Sequence, residues 1–431
     1  MKKVFIGGSG ACGVHNEKYV LEDFLFESYD YTLTDDYKDA DVIILIDTCA
    51  GTYRYIKESV DCIKNVLLTK KKDATVIVSG CITKKFSFEL PDDLQSILNQ
   101  VTLVPSSNIV EYVLNLLKFN TQDSSIKDWI HSFYCNLENG IQISPVTGCS
   151  NKCSFCKTNY MDFSLKSVPI ELIETAIESL NGLNECMQPI DFIHVHSSNL
   201  SLYGLDLYGG QRAHDLLNVL SKPENVKFLF AGALINWYPE LLNEVLNNSK
   251  IKSLFISLES GSDRVYKLMN RPISLDELKK VIRTVRENRP DILIDTEIIC
   301  GFPTETMDDL NRTIDTIYEF DVNPLFIHPY IDSPYIPSSK LIQYGYEYNI
   351  ELSIHAMDRL RPQIKKYEEF AINGELLVID RDDISNRYKV LLINGKTAYI
   401  SCSEFDRVYL PGDVIPRENN NQVKRRVRII R

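Results

Sequence analysis

Over residues 1–120, short apolar runs alternate with amphipathic stretches. Val4–Gly7, Asp41–Ile46 and Ala74–Ser79 are continuous β-branched and apolar runs bounded by Gly, Asp or Lys. That texture suits strands covered on both faces of a parallel sheet. Asn16–Tyr29 and Tyr55–Leu68 carry helical spacing between them. The alternation predicts an open, doubly wound α/β domain. A polar stretch, Phe119–Asp128, reads as a linker.

A second strand–helix series begins near Gly140. Predicted strands are Ile141–Ser144, Phe192–His196, Val226–Phe230, Leu254–Leu258, Ile292–Ile299 and Leu325–Pro329. Predicted helices are Val168–Cys186, Ala213–Leu220, Pro239–Asn247, Ser274–Asn288 and Thr306–Phe320. Six βα units in about 190 residues suit a partial (β/α)6 barrel better than eight closed units. From Ile372 the pattern becomes short strands at Glu375–Ile379, Arg387–Ile393 and Thr397–Ser401. Asn394-Gly395 and Pro411-Gly412-Asp413 are turn signals, so this region predicts a small β-barrel. The expected α/β organisation is therefore a doubly wound domain over residues 1–125, a partial barrel over 135–370 and a β-barrel over 372–431.

The 431-residue length suits two to four domains at ~100–200 residues each. Apolar residues at 44% and charged residues at 25% exclude a disordered or collagen-like chain. No run approaches the ~18–20 apolar residues of a membrane span. Met1–Gly8 offers too short an apolar stretch for a secretory signal, so no membrane association and a cytoplasmic location are expected. Eleven cysteines then stand out, and an odd number excludes complete pairing. In a reducing compartment, clustered cysteines are more often metal ligands or catalytic groups than disulfides.

Cys149, Cys153 and Cys156 fall within eight residues, spaced C-x3-C-x2-C, after the first strand of the second series. Three such thiolates can hold a 4Fe–4S cluster and leave one iron open. Structural zinc sites usually use four ligands in two pairs, a spacing absent here. Cys12, Cys49 and Cys81 each stand just past one of the three N-terminal strands. Strand ends of a parallel sheet share one edge, which would bring these three together as a second cluster site. The plainer alternative is three small buried thiols.

The first triad, with Phe155 before its last cysteine, resembles the signature of the radical S-adenosylmethionine (SAM) enzymes. The resemblance implies that the open iron binds the amino and carboxylate groups of SAM. Reductive cleavage would then yield a 5′-deoxyadenosyl radical that abstracts hydrogen. It also implies SAM contacts at strand ends: Phe155, then Glu259 and Ser260 in Leu258–Ser262, then Glu297, Ile299 and Gly301 in Glu297–Thr306. The alternative is that Glu259 only caps a helix and Gly301-Phe302-Pro303 is only a turn. The dispersed triad resembles the methylthiotransferase branch of that family, which joins a cysteine-triad domain, a radical barrel and a TRAM β-barrel. That likeness spans nearly the whole chain. It implies two 4Fe–4S clusters, two SAM molecules per turnover, a flavodoxin- or ferredoxin-type electron donor and a monomer. Substrates implied by the branch are a protein side chain or an anticodon-adjacent adenosine of tRNA. Another radical SAM sulfur insertion is a further alternative.

Several positions depart from the branch pattern. Lys157–Asp162 replaces Ile-Pro-x-x-Arg-Gly, Ser167-Val168 replaces Ser-Arg, Ala233 replaces an Arg, and Glu259 replaces a Gln. These departures bear on substrate choice. Asn199–Gly209 resembles the protein-modifying group. The chain carries 47 Lys plus Arg against 59 Asp plus Glu, a net −12. Residues 372–431 hold +3 of this and the remainder −15, which disfavours a broad polyanion surface and suits a basic protein or peptide partner. Five cations in Lys424–Arg431 pull the other way, either as an RNA contact on the C-terminal domain or as a solvated final strand. A protein or peptide substrate is the favoured expectation.

His194 and His196 share one strand face, as radical-cavity lining or as a satisfied core pair, and His328 is treated likewise. Tyr203, Asp206 and Tyr208 are candidate substrate contacts. Cys62, Cys135, Cys186, Cys300 and Cys402 have no ligand partner by spacing and read as packing thiols.

Overall fold

A computed structural model describes residues 1–8, 18, 21–22, 25, 30–48, 53–80, 83, 99–105, 109–117, 134–137, 140–156, 165–182, 190–332, 336–382, 386–405, 408–416 and 427–429. The chain forms two compact units, Met1–Cys135 and Asn136–Arg431.

The first unit is built on strands β1 (Lys2–Gly7), β2 (Tyr31–Leu33), β3 (Val42–Thr48), β4 (Thr75–Gly80) and β5 (Thr102–Leu103), in the order β2-β1-β3-β4-β5. Every pairing is parallel. Successive side chains of a strand point to opposite faces. Ile43, Leu45, Val76 and Val78 accordingly pack with Val60, Ile63 and Val66 of helix α1 (Tyr53–Thr69). Val4, Ile6, Ile44 and Ile77 pack on the other side with Leu21, Leu25 and helix α2 (Ile109–Leu116). The unbroken apolar runs thus follow from burial on both faces. Most of the Asn16–Tyr29 segment lies outside the described residues.

In the second unit, β7 (Gly140–Ile143), β10 (Phe192–Val195), β11 (Phe228–Ala233), β12 (Ile251–Glu259), β13 (Leu293–Cys300) and β14 (Asn323–Pro329) lie side by side in chain order, all parallel. β6 (Tyr134–Leu137) flanks β7, and a small ribbon pairs β8 (Val146–Thr147) with β9 (Lys166–Ser167). β7 and β14 do not pair with each other, so the sheet stays open. The helices α3 (Ile170–Gly182), α4 (Leu205–Tyr208), α5 (Ala213–Ser221), α6 (Pro239–Asn247), α7 (Asp263–Leu268), α8 (Leu275–Asn288) and α9 (Met307–Phe320) follow the strands. Ser274 and Thr306 cap α8 and α9 with reciprocal capping boxes to Glu277 and Asp309.

A 28-residue helix, α10 (Tyr346–Asn373), follows β14 and was not expected from the sequence. Pro362 lies inside it and its polar residues blur the apolar period, but Leu352, Ala356, Leu360, Tyr367 and Ala371 bury one face. The final residues form an antiparallel sheet, β18-β15-β16-β17-β19, from β15 (Leu376–Asp382), β16 (Arg387–Leu392), β17 (Thr397–Ser401), β18 (Val414–Ile415) and β19 (Val427–Ile429). Gly395, at φ +74°, makes the expected turn between β16 and β17.

This sheet sits at the amino ends of the parallel strands. Leu376, Val378, Val390 and Ile400 share one core with Phe192, Phe228, Phe230 and Leu293. Lys252, near the start of β12, pairs with Glu375 at 2.5 Å. The carboxyl ends of the strands lie at the opposite mouth.

Candidate functional site

Elements from the carboxyl-end mouth converge on the loop after β7, which carries Cys149, Cys153 and Cys156. The loop is anchored by its backbone. Ser154 donates from its N–H to Met269 O at 2.9 Å and from its hydroxyl to Leu268 O at 2.7 Å. Asn270 donates to Lys152 O at 2.7 Å, and Ser338 N–H and Oγ donate to Ser154 O at 3.1 and 3.0 Å.

Two thiols receive side-chain N–H groups. Asn199, buried four residues past the end of β10, points Nδ2 at Cys149 Sγ, 3.7 Å away, and donates to Asn236 Oδ1 at 2.8 Å. Asn236 and Asn151 exchange amide hydrogen bonds of 2.7 and 3.2 Å. Arg271 Nη1 donates to Cys153 Sγ at 3.3 Å. Burial pushes the Cys149 and Cys153 thiols up, and Cys156 acts on both in the same direction; Asn199 and Arg271 oppose this. Among the described residues, no three His, Cys, Asp or Glu side chains meet at a single-ion site. A cubane engages each thiolate at a different iron, so its ligands need not meet at one point. Three thiols on one short loop, close enough to influence each other and supplied with N–H donors to sulfur, fit such a cluster.

Arg271 ties the predicted site residues together. It is deeply buried, donates Nη2 to Ser257 O at 2.7 Å and lies 5.7 Å over the Phe155 ring. Its Nη1 is 3.8 Å from Glu259 Oε1, and both side chains are almost fully enclosed. Burial alone would lower the guanidinium pKa, but Glu259 and Cys153 outweigh it and the group is held charged. Burial, then the Glu297 carboxylate, pushes Glu259 well above the usual range, with Arg271 pulling it back. Glu297 accepts from Ser257 Oγ at 2.8 Å. Glu259 ends β12 at φ +66°, a strained conformation for a residue with a Cβ.

The other predicted residues divide. Phe155 and Ile299 pack against one apolar cluster with Phe302, Met269 and Tyr330. Ser260 is buried, with its hydroxyl 3.2 Å from Thr313 Oγ1 on α9. Gly261 N–H donates to the same hydroxyl at 2.9 Å. Gly301 has φ +79°, and a Cβ there would overlap the Asn349 side chain, so only glycine lets β13 close against α10. Gly301 N–H donates to Glu305 Oε2 at 2.5 Å.

Glu305 itself is fully buried and its Oε1 has no partner. Burial, the largest cause, pushes it up to about 8. The folded chain thus holds a proton that the unfolded chain, at ~4.3, releases. Its stabilising effect is fully present below the unfolded value and is lost as pH rises through about 8. Glu305→Gln should remove that slope and raise the melting temperature at pH 8 relative to wild type more than at pH 4.5. A few kcal/mol separate the two limits. Parallel pH dependences for the two proteins would refute this.

His194 is tied to Gln142 Oε1 at 3.2 Å and lies near Phe230, 6.0 Å between rings. Burial, then His196, lowers it to about 4, so it is neutral at ordinary pH. His196 is exposed and His328 stacks on Phe326. Tyr203 donates its hydroxyl to Val168 O at 2.7 Å, Asp206 accepts from Ser167 N–H at 2.9 Å, and Tyr208 OH accepts from Ile170 N–H at 3.0 Å. All three staple the chain around β9 and the start of α3. Cys300 is buried, while Cys62 and Cys402 are partly buried against their cores. Cys135 falls in β6.

Cys12, Cys49, Cys81 and Cys186, together with Lys157–Asp162, lie outside the described residues. The strands before Cys49 and Cys81 end side by side, with Thr48 the register partner of Gly80 and donating its hydroxyl to Ser79 O.

Arg271, Asn236 and Asn151 had not been singled out from the sequence as site residues. Their roles depend on partners 118, 85 and 85 residues away, which no local pattern encodes.

Comparison with known proteins places these features. Residues 143–317 match the Radical SAM superfamily and residues 11–103 the Uncharacterized protein family UPF0004. The chain is 26% identical over 406 residues to the ribosomal protein uS12 methylthiotransferase RimO of Clostridium botulinum (strain Eklund 17B / Type B), covering 89% of this chain and 83% of that one. It is 29% identical over 328 residues to the RimO of Clostridioides difficile (strain 630), covering 72% and 71%. Among solved structures, the cobalamin-dependent S-adenosylmethionine radical enzyme OxsB, with aqua-cobalamin and S-adenosylmethionine bound, shares the fold at a TM-score of 0.52 and 15% identity. That match covers 85% of this chain and 56% of OxsB.

Proposed function

Because the chain belongs to the radical SAM methylthiotransferase family, and is therefore an enzyme that uses iron–sulfur chemistry and SAM, we propose that it replaces a C–H hydrogen with a methylthio group on a side chain of a protein or peptide, with a ribosomal protein as the leading class. The observation that carries this reading is the anchored cysteine loop at the carboxyl-end mouth of the six parallel strands of an open sheet, where ligands of such folds bind. When bound there, a cluster with an open iron supplies the one-electron chemistry that cleaves SAM.

Cys149, Cys153 and Cys156 would hold that cluster. Asn199 and Arg271 orient the thiols and donate to sulfur. Phe155 and Ile299 offer SAM an apolar wall, and Glu259, Ser260, Glu297 and Gly301 form the polar strand ends beside it. Cys12, Cys49 and Cys81 would hold a second cluster that accepts sulfur. A flavodoxin- or ferredoxin-type donor and a monomeric state belong to the same reading. Among the described residues, no helix is long and apolar enough to cross a membrane.

The protein substrate rests on the uS12 activity of the named relatives and on the acidic balance of residues 1–371. The C-terminal sheet, the proposed RNA contact of the tRNA alternative, lies at the amino ends of the strands, away from the cysteine loop. Mass spectrometry of ribosomal proteins and tRNA from a deletion strain tests the choice. Loss of one SCH2 unit from a ribosomal protein is the expected result. Loss from tRNA alone would replace it with the adenosine reading, and a product carrying only S would replace methylthio transfer with sulfur insertion.

A further inference from the structure

The outer side of α10 is apolar where a surface helix is ordinarily polar. Its packed face is fixed by Asn349, Leu352, Ser353, Ala356 and Leu360. Ile350, Ile354 and Met357 lie to one side of that face at i, i+4 and i+7, and all three are exposed, Ile354 by 58%. The stripe continues past the helix start through Tyr344 and Ile342, the latter 72% exposed. From Ile350 to Met357 it spans roughly 10 Å along the helix, at 1.5 Å per residue. A contiguous apolar surface of this kind marks an interaction site.

The segment that carries the stripe is acidic. Residues 341–358 contain no Lys or Arg, whereas Glu347, Glu351 and Asp358 are all exposed. Two cations stand at its ends, each paired with an aspartate: Arg361 donates to Asp358 Oδ1 at 2.8 Å, and Arg264, which donates to Thr304 O at 2.7 Å, pairs with Asp309. An apolar strip with an acidic margin complements an amphipathic cationic polypeptide and repels a phosphate backbone. Proteins that bind ribosomal RNA carry such cationic segments, since they must neutralise phosphates.

The stripe also begins at the mouth of the site. Thr304, in the turn after β13, donates its N–H to Ile342 O at 3.1 Å. Ser338, four residues before Ile342, donates to Ser154 O between Cys153 and Cys156. A chain lying on α10 would therefore be delivered to the cysteine loop.

We propose that the Ile342–Met357 face docks a cationic, amphipathic segment of the protein substrate and leads it to the site. This rests on the protein-substrate reading above and adds the surface that selects it. The test measures binding of purified ribosomal protein uS12 to the full reconstituted chain by fluorescence anisotropy, at low and at physiological salt. Ile354→Ser and the double variant Glu347→Gln/Glu351→Gln are compared with wild type, with iron content and melting temperature confirming intact folding.

At least a tenfold loss of affinity in Ile354→Ser, and a flattened salt dependence in the double variant, is the expected result. Unchanged affinity in both variants overturns the docking face and leaves the protein-substrate reading standing. Light scattering that shows wild-type dimers broken by Ile354→Ser overturns it in favour of a second copy on this face. Methylthiolation of tRNA with no uS12 binding overturns both readings together.

Discussion

Cys153→Ala is expected to lower the iron of the anaerobically reconstituted protein from about eight to about four atoms per chain, one cubane fewer, and to abolish reductive cleavage of SAM. Cys49→Ala should lose the same amount of iron yet still cleave SAM to 5′-deoxyadenosine, because the loop of Cys149, Cys153 and Cys156 is untouched. The pair of variants separates the two triads by one assay each. Iron unchanged in Cys49→Ala would remove the second cluster from the reading. Cleavage retained in Cys153→Ala would remove the first. The large effect follows from geometry: Cys153 is buried, its loop is anchored on both flanks by Asn270 and Ser338, and beyond Cys149 and Cys156 no fourth described cysteine stands on that loop to replace it.

Arg271→Met should be among the most destabilising single changes in the second unit. Arg271 and Glu259 are enclosed together, and Glu297 stands beside Glu259. Deleting the cation leaves a carboxylate without its partner and Ser257 O without its donor. Breaking a buried pair from one side costs about 3–5 kcal/mol, whereas replacing both members by apolar groups is often neutral. The double variant Arg271→Met/Glu259→Met should therefore melt closer to wild type than Arg271→Met alone, a coupling that thermal unfolding of the four proteins measures. Additive losses would show that the two residues contribute separately. The branch-typical glutamine makes a further comparison. Glu259→Gln keeps a side-chain oxygen facing Arg271 in a group of the same size, and should perturb stability less than Arg271→Met.

Much of this fold was legible because burial leaves a simple signature. Strands covered on both faces, such as Asp41–Ile46, read as unbroken apolar runs, and Pro239–Asn247 begins at its proline and ends where the structure ends it. The helix α10 was illegible for an equally physical reason. Its buried face includes Asn349, Ser353 and Gln363, which hydrogen-bond within the fold: Asn349 Nδ2 donates to Tyr330 O, and Gln363 Nε2 to Val322 O. A period read from apolar residues alone misses such a face, and Pro362 reads as a break. At the site, the compact triad was visible as spacing within eight residues. Arg271 and the Asn151–Asn199–Asn236 network were not, because each is defined by partners on other strand ends. Tyr203, Asp206 and Tyr208 drew notice as polar and aromatic residues in one segment. The structure spends their polar atoms on holding β9 and α3.

The shared core of the C-terminal sheet and the parallel strands has a mechanical consequence. Phe192, Phe228 and Phe230 would face water if the chain stopped at Ile372, and each large side chain exposed costs about 1.5–3 kcal/mol. The described strands of the C-terminal sheet are thus the floor on which the parallel strands rest. A loosened floor would reach the reaction mouth along β10 to β13, so wear at the chain's end would be felt as lost order around the thiols at the top.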